Sequence, residues 1–138
     1  LGMIRQTRCV NIMLIIYLIN QKLIVGRMYS MSLRYCFDID GTICTTDCHY
    51  EDAKPYKNVI KKINSLYNSG NRVILYTSRG SGSGTDWSEF TKKQVDGWGV
   101  KYHELLLGKP MYDIFVDDRA INNKEWYKQN NLKVVDEK

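Results

Sequence analysis

The chain has 138 residues, enough for one domain that buries a real core. Apolar residues make up 43% and charged residues 25%, proportions that exclude a disordered or fibrous chain. The net charge of +5 points towards nucleic acid or membrane only until it is located. Arg5, Arg8, Lys22 and Arg27 stand without one acid in residues 1–32, so residues 33–138 carry just +1 and present no electrostatic footprint for nucleic acid.

Residues 1–32 begin with Leu1 and hold an almost unbroken apolar run, Val10–Ile19, before Asn20-Gln21-Lys22. That run is shorter than the roughly 20 apolar residues of a spanning helix. Arg5 and Arg8 in front of it suit a signal segment, yet no small-residue cleavage site follows. The expectation is an N-terminal extension, either upstream translation ahead of Met28 or Met31 or an accessory strand or helix, rather than a membrane anchor. The folded domain is expected over 33–138.

A first strand is expected at about 33–39, ending in Tyr35-Cys36-Phe37-Asp38-Ile39-Asp40-Gly41-Thr42. Alternate residues of an extended strand share a face, so Asp38 and Asp40 point one way and Ile39 the other. Gly41 lets the chain turn where the strand stops. Residues 41–54 are polar and turn-rich. Pro55 then opens a helix whose apolar positions Val59, Ile60, Ile63, Leu66 and Tyr67 keep helical spacing, with Lys57, Lys61, Lys62 and Asn64 on the other side and Gly70 as the stop. Val73–Thr77 is a second strand.

Ser78–Thr85 carries Gly80, Gly82 and Gly84 without the spacing of a dinucleotide fingerprint or a nucleotide P-loop, and reads as a flexible loop. Asp86-Trp87-Ser88-Glu89 resembles a capping box and starts a second helix through about Gln94–Asp96. A short strand is expected within Val100–Leu107, another at Ile114–Val116 ending in Asp117-Asp118-Arg119, a last helix over Ala120–Gln129, and a fifth strand at Leu132–Val135. Cys9, Cys36, Cys44 and Cys48 form no disulfide framework, and Cys36 reads as a small buried hydrophobe. Cys44, Cys48 and His49 lack the partners that would complete a zinc set. Free thiols suit a cytoplasmic protein.

Strands alternating with helices call for a mostly parallel sheet covered by helices on both faces. Ligands of such sheets sit at the carboxyl ends of the strands. Asp38 and Asp40, Thr77, then Asp117 and Asp118 all fall at that edge, with Lys109 in a loop beside it. Carboxylates gathered there suit magnesium, which prefers a few carboxylates plus water and phosphate oxygens. A lysine and a threonine hydroxyl complement a phosphoryl group. One carboxylate can act as nucleophile and the other as general acid and base.

Asp38-Ile39-Asp40-Gly41-Thr42, Thr77, Lys109 and Asp117-Asp118, in that order, resemble the four motifs of haloacid dehalogenase-like phosphatases over about residues 33–136. The resemblance implies a Rossmann-like three-layer sandwich with a five-stranded sheet and a flap at about 41–54. It implies a nucleophile and metal ligand at Asp38 and a general acid/base at Asp40, which also offers its backbone carbonyl to the metal. Thr77, with Ser78 and Arg79 beside it, and Lys109 would bind the phosphoryl group or the substrate. Asp117 and Asp118 would complete the magnesium site. The intervals on either side of Thr77 are too short for a cap domain. Segments around Gly84–Trp87, Trp98–Leu105, Gly108–Pro110 and Val116–Ala120 are similar to small capless members associated with bacterial surface-polysaccharide synthesis, which implies a sugar-phosphate substrate and leaves room for a homo-oligomer in which a neighbouring subunit serves as lid. Two other readings share these residues: a phosphatase of nucleotides or nucleic-acid ends, which the near-neutral domain disfavours, and a non-catalytic receiver-like module. In receivers the lysine comes last, whereas Lys109 precedes the final acidic pair. His103 reads as structural, and Trp87, Trp98 and Trp126 as core or interface anchors.

Overall fold

The computed structural model describes residues 17–18 and 32–134. The chain divides into two units, Leu1–Ser32 and Leu33–Lys138. Of the apolar run in the first, only Tyr17 and Leu18 are described, both helical and exposed; the rest of that expectation lies outside the described residues. Among the described residues no helix is long and apolar enough to cross a membrane.

The second unit runs β1 (Arg34–Phe37), α1 (Lys57–Asn68), β2 (Arg72–Tyr76), α2 (Ser88–Gly97), β3 (Glu104–Leu106) and α3 (Asn123–Gln129), with a single 3-10 turn at Tyr50–Asp52. The three strands form a parallel sheet in the order β1-β2-β3, with Phe37 opposite Leu75 and Leu75 opposite Leu105. This is the α/β arrangement expected of a parallel sheet built from β-α-β units. Val73 and Leu75 are fully buried on one face of β2, as alternation requires. α1 turns Val59, Ile60 and Ile63 inward and leaves Lys57 and Lys61 exposed, the stripe its sequence spacing predicts. Each such apolar side chain removed from water contributes roughly 1.5–3 kcal/mol. Phe37 meets Trp126 of α3 edge to face at 5.2 Å between ring centroids, which closes the core beneath β1.

All three helices end by the same device. Past α1, Gly70 N–H donates to Tyr67 and Asn71 N–H to Leu66; past α2, Gly99 donates to Asp96 and Val100 to Val95; past α3, Asn131 donates to Lys128 and Leu132 to Tyr127. This paired pattern satisfies carbonyls the helix leaves open, and it needs a left-handed residue, supplied by Gly70, Gly99 and Asn131 at φ of 86°, 74° and 54°. Val95 and Val100, which flank the second of these turns, are both buried.

Three strands, not five, are present among the described residues. Ile114, Phe115 and Val116 lie outside any strand and are 81%, 54% and 90% exposed. Leu132–Val134 is also outside any strand, and the strand expected within Val100–Leu107 is confined to Glu104–Leu106. The reason is that a three-residue apolar run has no local feature that dictates its partner. Parallel pairing is a long-range event that neighbouring side chains must reward. β1 consequently stays an edge strand, and Cys36, expected to be buried, is exposed with Arg34 on its uncovered side. The last helix starts at Asn123 rather than Ala120, because Asn122 caps it: its side-chain oxygen accepts the Lys124 N–H at 3.0 Å.

Candidate active site

Asp38 and Asp40 follow directly from β1, separated by Ile39, which is wholly buried. The Ile39 carbonyl accepts three backbone N–H groups, from Thr42 (3.1 Å), Ile43 (2.8 Å) and Cys44 (3.3 Å), so the chain is knotted tightly where the two acids emerge. Beyond the knot, residues 43–45 pair antiparallel with 54–56: Thr45 N–H donates to Lys54 and Tyr56 N–H to Ile43. The polar stretch 41–54 is therefore a small flap with the Tyr50–Asp52 turn within it. Its root is held from α3, where Asn123 Nδ2 donates to the Gly41 carbonyl at 2.6 Å and the Tyr127 hydroxyl donates to that of Thr42.

Thr77 follows β2 and is 1% exposed. Its N–H donates to Leu106 at 3.0 Å, its carbonyl accepts the Lys109 N–H at 3.1 Å, and its hydroxyl oxygen accepts the Arg79 N–H at 3.2 Å. The loop that carries Lys109 is thus zipped to the end of β2. Lys109 reaches past the end of β2 to that of β1, placing its Nζ 3.2 Å from Asp38 Oδ1 and 5.1 Å from the centre of the Tyr112 ring. Ser81 of the glycine-rich loop donates its hydroxyl to the Lys109 carbonyl at 2.8 Å. Ser78 is half-buried and accepts the Ser81 N–H through its carbonyl.

Arg79 turns inward. Its side chain has no exposed surface, and it forms a two-pronged pair with Asp40: Nε to Oδ2 at 2.8 Å and Nη2 to Oδ1 at 2.7 Å. Its remaining nitrogen donates to Gln94 Oε1 at 2.8 Å and to the Thr91 hydroxyl at 3.4 Å, and the guanidinium lies 4.5 Å from the Tyr50 ring centre. A planar, always-charged group with fixed donors suits this enclosed position. The geometry differs from that of a side chain reaching out to a substrate.

The electrostatics follow from burial. Burial raises the Asp38 carboxyl above its usual range, and Lys109 offsets only part of that rise. Burial would lower the Lys109 ammonium, but the contacts with Tyr112 and Asp38 outweigh it and the net shift is upward. Cys44, wholly buried against Asp40, has its thiol pushed up to about 12 by burial and then by the neighbouring carboxylate.

Asp38, Asp40, Thr77, Arg79 and Lys109 are therefore brought together at the carboxyl ends of β1 and β2. Asp117 and Asp118 are not joined to them. Both are exposed; Asp117 accepts the Arg119 N–H at 2.6 Å and Asp118 lies 3.7 Å from the Arg119 side chain. Among the described residues no three His, Cys, Asp or Glu side chains come together as a metal site would need. His103 is structural as its sequence context suggests: Nδ1 accepts the Val73 N–H at 3.1 Å and the ring stacks on Tyr67.

No family model matches the chain. No curated protein matches it either. Among solved structures it is similar to a structural-genomics target from Vibrio cholerae, with 24% identity and a TM-score of 0.61 over 68% of this chain and 86% of that one. At that identity the likeness establishes a shared α/β fold, and the target's name states no activity.

Two contributors to the site were not singled out by the sequence. Gln94 and Tyr50 surround Arg79, and Gln94 Nε2 also donates to the Tyr50 carbonyl. A signal existed: Thr91 and Gln94 are one helical turn apart on α2, beside the buried Val95, so two polar side chains sit where an amphipathic helix normally turns apolar ones.

Proposed function

We propose that the protein is a phosphomonoester hydrolase working through an aspartyl-phosphate, on a sugar phosphate or similar small metabolite. The observation that carries this is the Asp38–Lys109 pair, 3.2 Å apart beside the buried Thr77 at the carboxyl edge of a parallel sheet. A carboxylate nucleophile next to a fixed cation is what attack on an anionic phosphoryl group requires. Asp38 oxygen bonds to phosphorus as the ester P–O bond breaks, and the leaving oxygen takes a proton from Asp40. Water then attacks the phosphorus, gives its proton to Asp40 and releases phosphate, which regenerates Asp38. Arg79 grips both oxygens of Asp40, so one grip must loosen while Asp40 holds the proton and the other can persist.

Magnesium belongs to this reading. With both Asp40 carboxylate oxygens taken by Arg79, the Asp38 carboxylate and the Asp40 backbone carbonyl are the oxygen donors this reading assigns to magnesium, which is commonly held by one or two carboxylates alongside substrate oxygens. Asp38 through its carboxylate and Asp40 through its backbone carbonyl would hold it, joined by Asp117 or Asp118, and it would neutralise phosphoryl charge. In the fuller form of the reading, Ile114–Val116 pairs with the free edge of β1, Leu132–Val135 adds a fifth strand, and the domain is a capless Rossmann-like sandwich of the haloacid dehalogenase-like type. The test is phosphate release from a panel of sugar phosphates and nucleotides with and without magnesium. Asp38→Asn and Asp40→Asn should each abolish turnover while circular dichroism stays unchanged. Wild-type turnover in Asp38→Asn would overturn the assignment.

A further inference from the structure

The side chain of Gln94 bridges two parts of the site that no backbone element connects. One end accepts from Arg79 Nη1 at 2.8 Å; the other donates to the Tyr50 carbonyl in the flap. Arg79 in turn holds Asp40 by two bonds, and the Tyr50 ring, edge to face with Trp87 at 5.0 Å, covers the guanidinium. Asp40 is thereby fixed from α2 and from the flap at once, although it belongs to neither.

We propose that Gln94 is a positioning residue for Asp40, acting through Arg79, and that its bridge to Tyr50 keeps the flap in register with that pair. A carboxamide suits this role because it offers one acceptor and two donors on a planar end, so it can face a cation and a carbonyl together. No apolar residue could do this. The alternative role, a tether that merely ties α2 to the flap through Tyr50, predicts that Arg79 is indifferent to position 94. The proposal extends the phosphatase reading in its kinetic consequences, but the placement of Arg79 stands without it.

The experiment compares wild type, Gln94→Met and Gln94→Glu. Methionine keeps the length and loses both hydrogen bonds; glutamate keeps the acceptor for Arg79 and loses the donor to Tyr50. The first readout is hydrogen exchange of the Arg79 Nε–H by ¹⁵N NMR, which needs no substrate. This proton should exchange about 10-fold faster in Gln94→Met, as local opening becomes easier, and stay protected in Gln94→Glu. The second readout is steady-state kinetics on p-nitrophenyl phosphate with magnesium. Misplacing Asp40 should lower kcat about 10-fold in Gln94→Met with KM within about twofold, and Gln94→Glu should recover most of it. Arg79 Nε–H protection unchanged in Gln94→Met would overturn the positioning role. If wild type turns over no phosphomonoester, the phosphatase reading fails, and the exchange measurement still decides the positioning role. Should Gln94→Met not fold, Gln94→Glu decides alone: loss of Arg79 protection there would refute the proposal.

Discussion

Replacing Lys109 by methionine isolates the charge at the centre of the site. The ammonium is about one-tenth exposed and lies 3.2 Å from Asp38, whose carboxylate is about one-third exposed. At an effective dielectric of 20 the Coulomb attraction over that distance is about 5 kcal/mol before desolvation is subtracted. A hydrogen bond to a charged group contributes about 1.5–3 kcal/mol net. Partial exposure of Asp38 puts the loss in Lys109→Met at about 2 kcal/mol at neutral pH. The pH dependence gives the sign. Asp38 already sits above its usual range, so its contribution to stability is present in acid and is lost as pH rises through its raised folded value. Removing Lys109 raises the carboxyl further and enlarges that loss, but only while Asp38 is charged. Urea unfolding of both proteins at a series of pH values should show a gap of about 2 kcal/mol at neutral pH that closes as the carboxyl protonates. A gap that is constant with pH would show that Lys109 acts by packing rather than by charge.

Arg79→Met should cost about 3–5 kcal/mol, because it strips a buried partner from Asp40 and empties the bonds to Gln94 and Thr91; Tm by calorimetry measures it, and a change below about 1 kcal/mol would contradict the geometry. Trp126→Ala should cost a similar amount through the cavity left beside Phe37, read from denaturant midpoints. Iodoacetamide at neutral pH should label Cys36 and Cys48 and spare Cys44, whose thiol is buried and pushed up to about 12; peptide mass spectrometry gives the answer. Val116→Lys should leave stability without metal within about 0.5 kcal/mol, since Val116 is 90% exposed, yet raise the magnesium concentration needed for half-maximal turnover, because the proposed pairing with β1 that carries Asp117 and Asp118 to the site would bury that position; an unchanged magnesium titration would refute the pairing.

The elements legible in the sequence are those whose signals are local. α1 announces itself by Val59, Ile60 and Ile63 at helical spacing, and its stop by Gly70. β1 and β2 are apolar runs of strand length, and their carboxyl ends gather Asp38, Asp40, Thr77 and Lys109 as the alternation of an α/β chain demands. The capping-box pattern puts Asp86 at the start of α2; its carboxylate accepts the Ser88 N–H at 2.9 Å while Trp87 takes the cap position, a difference of one residue. What the sequence does not disclose is long-range. Ile114–Val116 has the composition of a strand, but composition does not name a partner, and the run lies exposed. Arg79, two residues past Thr77, reads equally well in the sequence as a grip on the substrate or as a surface ion pair. Its buried tie depends on Asp40, Gln94 and Tyr50, brought from three separate parts of the chain.

The knot around the Ile39 carbonyl makes the two acids separable. Their emergence from β1 is dictated by main-chain bonds from Thr42, Ile43 and Cys44, so neither carboxylate serves as a strut for the other. An engineer could exchange Asp38 without redrawing the local path of the chain, whereas exchanging Asp40 would strand the buried Arg79 guanidinium.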